Sequence, residues 1–339
     1  MAIPAAQLEQ VGEQMDLETA LTGGEAAVAD ETGVREEVTR DAAGRVTRRV
    51  RLGEDGEARE EFLYDSEERV TERRRYQDGQ VAEEVAYSEA GQVVRETRYA
   101  EEQIGEVAAY DDGGRLTEKT IYADGQISEL VSYDPGGWVI QRARYREGKL
   151  NGETVLYDEE GRVVQTANFT EDQLDGITRL FDESGQISQE ITYRAGRLDG
   201  ETTVYIDGQV RSRVSYRSGV QEGPTTIYDE HGGSAQVSQY ANGIQEGESL
   251  QFYPDGQILE RAYYREGRLH GEVTRYYENG NVREKAYYAD GHVAAEKIEY
   301  DQGGKQAVAE SAVADQTQNV KKGLGVLMKI LRLFTKIYK

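Results

Sequence analysis

The chain of 339 residues contains no cysteine, three histidines, four prolines, three methionines and one tryptophan. Without cysteine, neither a disulfide framework nor a thiolate metal site can form. The histidines, His231, His270 and His292, stand at no metal-ligand spacing, and all three fall in turns of the repeat described below. Paired acids such as Asp158-Glu159-Glu160 lack the oxygen-ligand pattern of an EF-hand loop. No Ser-His-Asp constellation can be assembled, so the sequence points away from catalysis, and no cofactor, metal or small-molecule substrate is expected. Positive charge is also scarce. Against 64 Asp and Glu stand 40 Lys and Arg, a formal charge of −24. An acidic body of that kind repels phosphates, which excludes nucleic acid as the expected partner. The hydrophobic content is 37% and the mean hydropathy −0.75, too polar for two compact cores at this length. The opening residues, Met1-Ala2-Ile3-Pro4-Ala5-Ala6, show no basic n-region or apolar h-region, and the expected location is cytoplasmic.

Tyrosine, by contrast, is abundant, with 23 residues beside five Phe. From Tyr64 to Tyr300 an aromatic residue returns every 11 or 12 positions, as in Tyr76, Tyr87, Tyr99, Tyr110, Tyr122, Tyr133 and Tyr145, with Phe169 and Phe181 standing in. Each return is followed by a glycine-bearing turn such as Asp78-Gly79-Gln80 or Asp124-Gly125-Gln126, then by a run of mixed polar and β-favouring residues such as Val81 to Tyr87. Helical repeats rarely use so short a period. Turn and strand therefore alternate. The expected fold is all-β, an elongated single-layer antiparallel meander of about 20 strands in half-repeats.

From Tyr145 the period doubles, because two kinds of turn alternate. One reads as Gly-x-x-x-Gly: Gly148 to Gly152, Gly196 to Gly200, Gly219 to Gly223, Gly243 to Gly247 and Gly267 to Gly271, with Asp172 replacing the first glycine of the copy ending at Gly176. The other is of the Tyr-Asp-x-x-Gly kind, carried by Gly161, Gly185, Gly208, Gly232, Gly256 and Gly280. Neither glycine pattern is a nucleotide loop, since no Lys-Ser/Thr follows, and neither lies in an apolar 20-mer.

Segments such as Tyr264-Arg265-Glu266-Gly267-Arg268-Leu269-His270-Gly271-Glu272 and Tyr276-Tyr277-Glu278-Asn279-Gly280-Asn281-Val282 resemble the MORN-repeat variant found in bacterial proteins labelled YwqK-type antitoxins. The resemblance is strong over about 145 to 300 and looser over about 34 to 144. It implies a long sheet of hairpins with a binding role. A second resemblance, to YD repeats of the Rhs type, rests on Tyr110-Asp111-Asp112-Gly113-Gly114-Arg115-Leu116 and Tyr157-Asp158-Glu159-Glu160-Gly161-Arg162-Val163.

In the strand 81–87, Val81, Glu83, Val85 and Tyr87 share one face and Ala82, Glu84 and Ala86 the other, so neither face is cleanly apolar. Most of the tyrosines read as structural, since Tyr suits a half-exposed pleated surface. Exposed Tyr rows among Arg and Glu would also suit protein binding. Nothing in the sequence selects the face.

The two ends depart from the beat. Residues 1–33 carry seven acids and no Lys or Arg, an acidic arm with a short helix possible around Gln7 to Leu21. Divergent hairpins follow over 34–144, regular 23- or 24-residue repeats over 145–304 and a linker over 305–322. In the last segment, 323–339, Leu324, Leu327, Met328, Leu331, Phe334 and Tyr338 follow helical spacing, while Lys329, Arg332, Lys336 and Lys339 recur three or four apart. This predicts an amphipathic helix with one apolar and one basic face. Residues 321–339 contain six basic residues and no acid, so the rest of the chain carries −30, six below the total of −24. Interrupted by charge, the helix is too polar to span a bilayer; it fits the surface of an anionic membrane, a groove on a protein partner, or the end of its own sheet as a cap.

The expected function is a non-enzymatic scaffold for protein binding, brought to an anionic membrane surface, on its inner face, or to a partner assembly by this helix. The alternative is an antitoxin or immunity protein that clasps a toxin through the sheet; an exported Rhs-like structural protein is a third class. Replacing Leu327, Leu331 and Phe334 together by Glu is expected to abolish localisation of a fluorescently tagged chain without altering its fold, and unchanged localisation would count against the tail.

Overall fold

In a computed structural model, residues 24–29 and 35–306 are described. They form 27 strands and no helix. The helix expected over 324–339 lies outside the described residues, as does the arm before Gly24. The chain divides into two compact units, up to Glu246 and from Gly247. Within each, a strand pairs antiparallel with its neighbours in the sequence, as Gln80–Tyr87 does with Val70–Gln77 and Val93–Ala100 in the first unit, and Ile258–Arg265 with Gly271–Tyr276 in the second. A first strand, Gly24–Ala29, pairs with Arg35–Arg40, inside the stretch read as an arm.

Two turn chemistries close the hairpins, one at each end of the strands. The tight turn has two residues, both left-handed: Asp78 at φ 52° and Gly79 at φ 79°, between the paired Gln77 and Gln80. Two consecutive positive φ angles match the right-handed twist of the strands, and glycine takes the second without a Cβ clash. The longer turn is capped by aspartate. At Asp158 the backbone N–H donates to the Arg162 carbonyl (3.0 Å), and the Gly161 N–H donates back to the Asp158 carbonyl (3.0 Å). The Asp158 carboxylate accepts the N–H groups of Glu160 (3.1 Å) and Arg162 (2.8 Å) and pairs with the Arg162 guanidinium (2.8 Å). Asp41, Asp65 and Asp111 do the same with Arg45, Arg69 and Arg115. Backbone donation from the arginine, followed by its side-chain bond, holds these three carboxyls below their ordinary range.

Two readings of the sequence need correction. Gly208 does not close an Asp-x-x-Gly turn; Asp207 (φ 52°) and Gly208 (φ 72°) form a tight turn between the paired Ile206 and Gln209. The strand there reaches the reversal without the spacer residues that the longer turn requires. Nor is Gly-x-x-x-Gly a turn as a whole. Only its first glycine reverses the chain; the second sits inside the next strand at a β-bulge, as Gly200 (φ 126°) does where the register shifts between Ile191 and Tyr193. A Cβ on Gly200 would stand 2.9 Å from Thr192 Cγ2, so the bulge demands glycine.

At three copies in the first unit the motif stitches a hairpin to the one before it. The N–H groups of Gly196, Gly219 and Gly243 donate to the carbonyls of Leu174 (2.8 Å), Leu198 (2.7 Å) and Gln221 (2.9 Å), residues of the preceding tight-turn hairpin. The position before the second glycine reaches forward. Asp175, Asp199 and Glu222 accept from the turn N–H groups of Ala195 (3.3 Å), Ser218 (3.1 Å) and Asn242 (2.9 Å). In the second unit Gly291 donates to Leu269 (2.9 Å), and His270 Nδ1 lies 3.4 Å from Asp290. His270 is thus a repeat-to-repeat contact at the bulge before Gly271, outside the reversal that Glu266 and Gly267 make.

Where the left-handed glycine slot holds another residue, its side chain makes such a stitch. Asp172 (φ 65°) accepts the Leu150 N–H at 2.7 Å, Glu68 (φ 60°) accepts the Val46 N–H at 2.8 Å, and Glu102 (φ 66°) bonds the Gln80 amide. The left-handed conformation costs a non-glycine residue about 1–2 kcal/mol, and one hydrogen bond returns about 0.5–1.5 kcal/mol. Asp172→Ala keeps the strain and loses the bond, so it is expected to destabilise by about 1–2 kcal/mol. Asp172→Gly loses both and should fall within about 1 kcal/mol of the parent. Urea denaturation midpoints of the three proteins would check this order.

Candidate binding faces

Directly paired residues lie on the same face of a sheet. In the first unit the face carrying Tyr76 has a central row running Thr97, Val107, Thr120, Leu130, Ala143, Thr154 and Ala167 from strand to strand. These side chains are small or β-branched apart from Leu130, and Thr97, Thr120, Ala143 and Ala167 are buried although no second layer is needed to cover them. Next to this row runs a second one, Glu118, Ser132, Gln141, Leu156, Gln165, Leu180 and Gln189, most of them longer chains whose stems cover the first. Tyr99, Tyr122 and Tyr145 stand on the same face, and burial raises all three phenols. They belong to the fabric of the sheet.

The opposite face, carrying Tyr87, is organised by charge. Glu36, Arg51, Glu60, Arg75, Glu83, Arg98 and Glu106 are paired one to the next across seven strands, in strict alternation of sign. Arg51 lies 3.0 Å from Glu36 and 3.2 Å from Glu60; Arg98 lies 3.9 Å from Glu83 and 3.5 Å from Glu106. Beside this ladder the row Arg73, Val85, Glu96, Ala108, Lys119, Val131 and Arg142 mixes apolar and charged chains. Val85 and Val131 are 2% and 3% exposed beneath their neighbours. Exposed pairs contribute little singly, but a continuous ladder avoids any like-charge step along its length.

At strands Val46–Leu52 to Gln80–Tyr87 the central row of the Tyr76 face turns from apolar to charged: Val50, Glu61, Arg74 and Glu84 are paired in order. Glu61 is 4% exposed. Its carboxylate accepts from Arg48, from the Tyr76 hydroxyl at 2.6 Å and from Arg74 at 3.5 Å. Burial alone would raise this carboxyl, but the Tyr76 and Arg48 hydrogen bonds outweigh it and hold the group below its usual range. Glu72, 2.6 Å from Arg74, is pushed up by burial and by the charge of Glu84. Burial and the bond to Glu61 push the Tyr76 phenol up to about 12.

The docking residues expected at 324–339 lie outside the described residues. Sequence reasoning missed the ion ladder, although its members stand at positions mirrored about each turn, 15 and then 8 or 9 residues apart. Exposed large apolar side chains are scattered along the strands, among them Trp138 and Ile206 in the first unit, at 59% and 47%, and Tyr263 and Tyr287 in the second, at 40% and 52%. Among the described residues no group of three or more His, Asp or Glu is arranged to hold a metal ion, and no helix is long and apolar enough to cross a membrane.

Residues 174–195, 245–266 and 269–290 match the MORN repeat variant family. A comparison with curated proteins gives no match. Solved structures give remote likenesses. One is a mutant of S. aureus TarM in complex with fondaparinux, α-GlcNAc-glycerol and UDP, at 10% identity and TM-score 0.24, over 30% of this chain and 20% of that one. Another is the TcdB2-TccC3-Cdc42 structure, at 16% identity and TM-score 0.20, over 78% and 15%. A third is the Photorhabdus luminescens Tc holotoxin pore with a mutated TccC3, at 14% identity and TM-score 0.16, over 83% and 17%. The chain spans a fifth or less of each, and TM-scores of this size carry no weight for fold or function.

The Tyr76 phenol titrates above its ordinary value of 10.0, so its contribution to stability is complete below pH 10 and is lost as pH rises towards about 12. The stability difference between the parent and Tyr76→Phe is therefore expected to be constant up to about pH 10 and to shrink above it. NMR of ring-labelled tyrosine, with Tyr76→Phe assigning the signal, would give its midpoint directly; titration near 10 would contradict the buried bond to Glu61.

Proposed function

The three matching segments are MORN-variant repeats on a β-sheet repeat protein, and we propose that this protein is a non-enzymatic scaffold whose sheet faces bind a protein partner. The observation that carries the reading is the design of those faces. Polar on both sides, with small chains under long ones, the sheet presents broad surfaces of Tyr, Arg and Glu, among which Tyr and Arg are suited to recognition over an area. The basic segment 323–339 supplies the address. Its apolar and basic residues would lie in the interface of an anionic membrane, with Lys and Arg at the headgroups, or in a docking groove on a partner assembly. Such a location would put the sheet at the inner face of the membrane.

Co-sedimentation with anionic and with neutral liposomes tests this, comparing the full chain with one ending at Val320. Tail-dependent binding to anionic vesicles alone is expected. Equal sedimentation of both chains, or none, would remove the membrane from the proposal.

A further inference from the structure

Along the Tyr87 face of the first unit, the central row places a basic residue at intervals, and nearly every one has a carboxylate beside it. Arg73 lies 3.2 Å from Glu83, Lys119 lies 2.8 Å from Glu106, Arg142 lies 3.2 Å from Glu129 and Arg179 lies 2.9 Å from Glu190. Arg213 continues the row, between Thr203 and Thr226. Among the described residues it has no ion pair. Glu190, opposite Thr203 on the strand beyond, is held by Arg179 (2.9 Å) and by the Tyr205 hydroxyl (2.8 Å), and Asp229, next to Tyr228, accepts the N–H groups of His231 and Gly233 at 2.8 and 2.9 Å. Arg211 on the same strand donates to the Asp229 carbonyl (2.9 Å) and adds a second positive charge.

The surroundings of Arg213 form a shallow open notch lined by Gln209, Val210, Arg213, Tyr228, His231 and Gly232. The guanidinium stands 6.0 Å from the centroid of the Tyr228 ring, close enough for the ring to orient it. Threonines on either side leave its fork uncovered. In a chain of net charge −24, a guanidinium set on an aromatic ring without a counter-ion is a cation held ready for one from outside.

We propose that this notch takes the carboxylate of an acidic side chain on a protein partner. A carboxylate matches the guanidinium fork in charge and plane, Tyr228 and Val210 offer apolar contact to the stem behind it, and Arg with Tyr is the pairing that concentrates binding energy at interfaces. A phosphate, with its higher charge, meets more repulsion from the acidic body. The inference rests on the scaffold reading and gives it a position and a chemistry.

The test is selection of a random dodecapeptide display library on the full chain, followed by titration of the enriched peptides against the parent, Arg213→Gln and Arg142→Gln. Arg142 occupies the same row but is paired to Glu129, so it serves as the control. Enriched peptides should be rich in Asp and Glu, lose at least about tenfold in affinity on Arg213→Gln, as loss of a charge-assisted hydrogen-bonded pair implies, and be unchanged on Arg142→Gln. Arg213→Gln should leave the parent's melting temperature little changed, since it breaks no ion pair and loses only an exposed contact with Tyr228. Peptides that bind Arg213→Gln as well as the parent would overturn the notch and leave the scaffold standing. Peptides that need Arg213 but carry no acid would overturn the carboxylate assignment, and failure to enrich any peptide would count against both readings.

Discussion

Everything in this sheet follows from the need to shield the middle of each strand with side chains of the same sheet. A layer backed by another can bury large apolar residues between the two. Among the described residues the fully buried chains are small ones, Val85, Thr202 and Ser212 being the largest. They are covered by the stems of longer chains on neighbouring strands. This explains how a protein of 37% hydrophobic content forms so much strand. It also explains the two kinds of row, small beside long on the Tyr76 face and apolar among charged on the Tyr87 face.

Support that comes only from neighbours has to be passed along. Cross-strand pairs do this within the strands, and the turns do it at their ends. A tight turn on its own leaves outward backbone donors to water; the Gly-x-x-x-Gly sequence turns them towards the preceding hairpin, at Gly196, Gly219 and Gly243. The bulge at the second glycine adds a residue, which lengthens the aromatic spacing from 23, as between Tyr76 and Tyr99, to 24, as between Phe169 and Tyr193. Between Tyr193 and Tyr216 the spacing returns to 23, because the tight turn at Asp207-Gly208 replaces the longer one. Repeat length is therefore a record of turn and bulge type.

The all-β class and the antiparallel order were legible in the sequence because glycine in a left-handed turn and tyrosine at a strand end are local signals. The ion ladder was not, since Glu36 and Arg98 become parts of one row only after the register of every intervening turn is known. Gly208 was misread because Asp-Gly serves both turn types, and the choice depends on how many residues separate it from the paired strand. The second glycine of each motif looked like part of a reversal; only the facing side chain, Thr192 opposite Gly200, reveals that it is a close approach within the strand. The Arg213 notch is legible in part: its arginine is visible, but the absence of a facing carboxylate is a property of registers on two strands.

On a sheet so constructed, recognition and stability use the same surface, and a partner adds contacts where the row leaves one unmet. The claim beneath this is that the turns stitch one hairpin to the next. Residue-resolved amide exchange on the full chain tests it most directly. The turn N–H groups of Gly196, Gly219 and Gly243, bonded to the preceding hairpin, are predicted to exchange at least about tenfold more slowly than those of Gly79 and Gly125, whose turns lack the motif. Equal rates at the two sets of glycines would contradict the account.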